Sequence, residues 1–66
     1  MSKPVPVAYQ GILVFPQERS GSKIRIRTTN QADAQKAGIP FKELVEGSIA
    51  TFETWVEESD LVPVND

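Results

Sequence analysis

Polar and apolar residues alternate with a period of two across Lys23-Ile24-Arg25-Ile26-Arg27-Thr28-Thr29. On a β-strand this sends Ile24 and Ile26 to one face and Lys23, Arg25 and Arg27 to the other. The same period returns in a strand predicted from about Ser48 to Glu57. There Ala50, Phe52 and Val56 share one face, and Thr51, Glu53, Trp55 and Glu57 share the other. A third strand is predicted from Tyr9 to Phe15, apolar on both faces. Tyr9, Gly11, Leu13 and Phe15 take one side, Ile12 and Val14 the other, as suits a barrel or a sheet covered on both sides.

The segments between these strands carry their own signals. Pro16 is expected to end the first strand, and the polar run Gln17 to Ser22 reads as a hairpin loop. Asn30 is a good N-cap, with Asp33 placed to favour the positive end of a helix. Gln31 to Ala37, with three alanines, predicts a short helix that Gly38 caps and Pro40 stops. Phe41 to Val45 reads as a connection anchored by Phe41 and by Leu44 or Val45, and Glu46-Gly47 reads as a turn. Glu58-Ser59-Asp60 turns the chain into a short edge strand, Leu61 to Val64, interrupted by Pro63. Pro4 and Pro6 make residues 1–7 a flexible or extended arm. The expected architecture is mainly β: a single small barrel over residues 8–66, OB-like or SH3-like, with four or five strands and one short helix near 31–37.

Composition narrows the chemistry. The 66 residues include no Cys and no His. Disulfides, thiolate nucleophiles, zinc sites and histidine bases are therefore excluded. No carboxylate pair falls in a recognisable acid–base motif, and neither Gly-rich phosphate motif is present. A non-enzymatic chain without cofactor or metal is expected. No apolar run approaches the roughly 20 residues of a membrane span, and Met1-Ser2-Lys3-Pro4 lacks the apolar region of a signal peptide. A soluble, cytoplasmic protein is expected. A core this small yields only about 3–5 kcal/mol of net stability, which makes a homodimer an expected form.

Charge adds a second layer. The net charge of −2 is divided unevenly along the chain. Residues 1–42 hold all seven basic residues against Glu18 and Asp33, a balance of +5; residues 43–66 hold seven acids and no base, −7. Such asymmetry points to a charged partner, or to two halves that neutralise each other inside one fold.

One segment resembles a known family. Phe41-Lys42-Glu43-Leu44-Val45-Glu46-Gly47-Ser48-Ile49-Ala50-Thr51-Phe52 is similar to the cold-shock segment in which Phe-Lys-x-Leu leads through x-Glu-Gly into an x-Val-x-Phe strand. Gly11 to Phe15 resembles that family's opening strand, and Asn65 falls where the family often has Asn-Val. The resemblance implies an OB fold and binding of single-stranded nucleic acid by base stacking on aromatics. The family's aromatic RNA-binding strands have no counterpart, and Ile24-Arg25-Ile26-Arg27 stands where one of them falls.

Two functions follow as expectations. In the first, Lys23, Arg25 and Arg27, about 6.6 Å apart along one strand face, track the phosphates of a single strand. Arg19 adds charge, and Trp55 or Tyr9 stacks on bases. In the second, the domain is an interaction or regulatory module. It holds a basic partner through Glu53, Trp55, Glu57, Glu58 and Asp60. The first expectation has a competitor within the fold, because the cations could instead face Glu53 and Glu57 across neighbouring strands.

Overall fold

A computed structural model describes residues 5–64; residues 1–4 of the expected arm, and Asn65 with Asp66, lie outside the described residues. The elements run β1 (Val7–Tyr9), β2 (Ile12–Ser20), β3 (Lys23–Thr28), α1 (Gln31–Ala37), β4 (Phe41–Val45), β5 (Ile49–Glu57), a 3-10 turn (Glu58–Asp60) and β6 (Val62–Pro63). All six strands pair antiparallel in one sheet of order β4-β5-β3-β2-β1-β6. The domain is mainly β with one short helix. Among the described residues it has six strands rather than four or five, and there β4 and β6 leave the sheet open at two edges. Among the described residues no helix is long and apolar enough to cross a membrane.

The helix forms where its caps place it. The Asn30 side chain accepts the Asp33 backbone N–H at 3.0 Å, and Gly38, at φ 72°, donates back to the carbonyls of Ala34 and Gln35. Ala34 and Ile39 then close the core against Ile12, Val14, Ile24, Ile26, Phe52 and Val56 of the sheet. The faces of β3 and β5 fall as their period of two predicts. Ile24 pairs with Val56, Ile26 with Thr54 and Thr28 with Phe52 on the core side.

Other segments differ from expectation. The strand predicted from Tyr9 to Phe15 is two strands joined by a tight turn at Gln10-Gly11, where φ is 50° and 85°. Positive φ at both central residues is what a type I′ hairpin requires. The reversal pairs Tyr9 with Ile12, so Tyr9 lies on the core face and not with Leu13 and Phe15. Val7, assigned to the arm, opens β1.

Pro16 does not end its strand. β2 continues to Ser20 through a register shift between Pro16 and Glu18. The tolerance has a physical reason. β1 pairs with β2 only as far as Val14, so at Pro16 one side of β2 carries no ladder and a missing N–H costs no bond. The loop expected at 17–22 shrinks to Gly21-Ser22, and Phe41–Val45 is an edge strand rather than a connection.

Candidate functional site

The pairing of β3 with β5 decides what its cations face. Lys23 lies opposite Glu57, Arg25 opposite Trp55 and Arg27 opposite Glu53. All six side chains share the outer face, away from the core. Lys23 Nζ is 3.6 Å from Glu57 Oε2, and the Ser22 hydroxyl also donates to Glu57. Arg27 Nε donates to Glu53 Oε2 at 2.6 Å, with Nη2 at 2.5 Å from the same oxygen. Arg25 sits between two carboxylates, its Nη1 3.3 Å from Glu18 and its Nε 3.5 Å from the other oxygen of Glu53. That Nε is buried without a hydrogen bond, so Glu53 serves Arg27 first and Arg25 by proximity.

Glu53 is the electrostatic centre of this face. It is 8 % exposed, although it sits on the side turned away from the core. The guanidinium heads of Arg25 and Arg27 reach its two oxygens. A carboxylate so enclosed is held by partners rather than by water. It is not available to a basic partner.

Arg19 and Tyr9, the remaining residues named for nucleic-acid contact, lie elsewhere. After the register shift Arg19 pairs with Ile24, on the side of the sheet opposite Lys23, Arg25 and Arg27. There its two terminal nitrogens donate to both oxygens of Glu58, at 2.7 and 2.5 Å. The bidentate hydrogen bonds, and then the attraction of opposite charges, raise the Arg19 pKa; the bond from Arg19 lowers that of Glu58. The pair rims a cleft of about 210 Å³ with a floor that includes Val7, Ile24 and Leu61. Tyr9 is half-buried against the core, and its hydroxyl accepts a bond from Gln10.

The face that remains is aromatic as well as charged. Trp55 is 42 % exposed, opposite Arg25. Phe15 lies opposite Arg27 and is exposed together with Leu13, its neighbour on the same side of β2. Sequence reasoning missed Glu18 as a partner of Arg25. The available signal was Gly21-Ser22, a two-residue hairpin dipeptide that places Glu18 beside Arg25 once β2 is allowed through Pro16. Among the described residues no three acidic side chains gather in a way that would hold a metal ion.

Chemically, then, the outer face offers a balanced lattice of ion pairs with exposed Trp55, Phe15 and Leu13. Lys23, Arg25 and Arg27 are matched there by Glu57, Glu18 and Glu53, while Arg19 is matched by Glu58 on the opposite face. No protein-family model, curated protein or solved structure matches the chain.

Proposed function

We propose that this domain is a non-enzymatic protein-interaction module whose outer sheet face receives the partner through Trp55, Phe15 and Leu13. One observation carries the reading: the four cations of β2 and β3 and four carboxylates cancel within the fold. A phosphate reaching Arg25 or Arg27 would displace Glu53 and leave a buried carboxylate unpaired, at a cost of roughly 3–5 kcal/mol. The same cancellation turns the reading away from a purely acidic docking surface. Of the acids named for that role, only Asp60 lacks an ion pair among the described residues. Apolar and aromatic contact on a charge-balanced ground fits the composition of interface centres.

Of the two barrel types expected, the strand pattern supports the SH3-like one. β2 bends to serve β1 on one side and β3 on the other. Pairing is antiparallel throughout, and a 3-10 turn separates β5 from the strand that returns to β1. Fold alone does not choose between protein and nucleic acid.

Nucleic-acid binding is the second reading, favoured by one feature: Trp55 and Phe15 each lie directly across from an arginine. Stacking beside Arg is a single-strand binding device. Titration with single- and double-stranded oligonucleotides decides between the readings, because Trp55 is the only tryptophan. We expect no change in Trp55 fluorescence at low salt. A quench by single strands that weakens with salt and is lost in Arg25→Gln would overturn the interaction reading. In cells, a photo-crosslinking residue at position 13 is expected to capture a defined protein, and Trp55→Ser to abolish the capture.

A further inference from the structure

The cleft on the Arg19 side of the sheet joins an aliphatic interior to a charged rim. Val7, Pro16, Ile24, Leu61 and Pro63 line it, from β1, β2, β3 and the stretch after the 3-10 turn. Their side chains bear no polar atom, and neither proline has a backbone N–H to donate. Arg19 and Glu58 complete the lining. Their side chains are 56 % and 52 % exposed, so the rim is open to solutes. The cleft holds about 210 Å³. That is less than the roughly 300–1,000 Å³ of sites for drug-sized ligands and about seven times the volume of one water in the liquid.

The rim restricts what the cleft accepts. Arg19 and Glu58 meet through two hydrogen bonds. A guanidinium carries more N–H donors, and a carboxylate more acceptor sites, than two bonds use. A small ion of either sign is drawn to one member of the pair and repelled by the other. A molecule with both charges close together, set antiparallel to the pair, is attracted by both and displaces neither. We propose that the cleft binds a free α-amino acid with a large aliphatic side chain, of which leucine is the type. Its carboxylate accepts from outer N–H groups of Arg19, its ammonium donates to Glu58, and its side chain enters between Ile24 and Leu61.

The charges of this ligand cancel as those of the pair do, so binding keeps the fold's balance. A peptide carries only one of the two charges at each end, and an internal residue carries neither, so the rim selects the free amino acid. The volume and the ring-free lining favour an aliphatic side chain over an aromatic one. Arg19 and Ile24 lie on the opposite side of the sheet from Trp55. This site and the proposed partner face therefore stand or fall separately.

Amide NMR shifts of the full chain, followed as leucine is added up to tens of millimolar, test the proposal. Shifts at Val7, Ile24 and Leu61 are expected with a Kd of about 1 mM, as suits a small ligand at an open rim. The Trp55 indole signal should not move. Leucinamide lacks the anionic charge and isocaproate lacks the ammonium. Each should bind about tenfold more weakly, since each forfeits a charge-assisted hydrogen bond. Alanine should lose about as much, because it leaves the cleft unfilled. Arg19→Gln should remove the preference for leucine over leucinamide, and Glu58→Gln the preference over isocaproate. A thermal melt establishes that both variants fold. No shift at the three cleft residues, or equal affinity for leucine and both single-charge analogues, would overturn the proposal. Leucine binding unchanged in both variants would overturn it equally.

Discussion

Glu53 decides more about this protein than any other side chain. It occupies a position in a regular alternation that marks it as solvent-facing, yet it is almost enclosed and holds two arginines. Glu57, two residues on, belongs to the same alternation but makes an exposed pair of the kind that contributes little. The contrast gives a direct test. We expect Glu53→Gln to cost about 2 kcal/mol in urea unfolding, since Arg25 and Arg27 lose their shared counter-ion. Glu57→Gln should stay within about 0.5 kcal/mol of the parent. Equal effects at the two positions would mean that the enclosure of Glu53 has no energetic weight. The sequence showed that Glu53 and Arg27 could meet, because both strands repeat every two residues. It did not show that Glu53 would be buried, because burial depends on the length and reach of side chains from a neighbouring strand.

Elements were legible where their signals are local. Asn30, the three alanines and Gly38 define a helix by capping and propensity alone, and the helix has the bounds they predict. β3 and β5 were legible because each has one apolar face. The first strand was misread because Gln10-Gly11 is an uncommon choice for a type I′ turn, where Asn-Gly or Asp-Gly is the familiar signal. Gln10 pays for its left-handed conformation in strain, at φ 50°. We therefore expect Gln10→Asn to stabilise the domain by about 0.5 kcal/mol, a rise of roughly 2–4 °C in melting temperature. Gly11→Ala, with φ at 85°, should lower it. A fall in melting temperature for Gln10→Asn would rule out the turn assignment. β4 was missed for a different reason: an edge strand has one paired side and need not alternate cleanly, so Phe41 to Val45 carries no period to read.

At the scale of the molecule, the β class and the single core follow from pattern and length, whereas closure does not. Whether strands close into a barrel depends on which edges find each other, a property no local window contains. The core itself is small. Ile26 is fully buried at its centre, among Val14, Ile24 and Phe52. We expect Ile26→Ala to cost about 3 kcal/mol, most of the roughly 3–5 kcal/mol a core of this size supplies. Its thermal transition should then begin near ambient temperature; a variant melting within a few degrees of the parent would show that stability resides outside this cluster. The pairing of β1 with β6 has a consequence of another kind. Val7 and Pro63 are direct cross-strand neighbours, so the path into the fold and the path out of it share one corner. That geometry makes the domain a cartridge. It could be spliced into a surface loop of a host protein, or be permuted with new ends at Gly21-Ser22, while its sheet order stays the same.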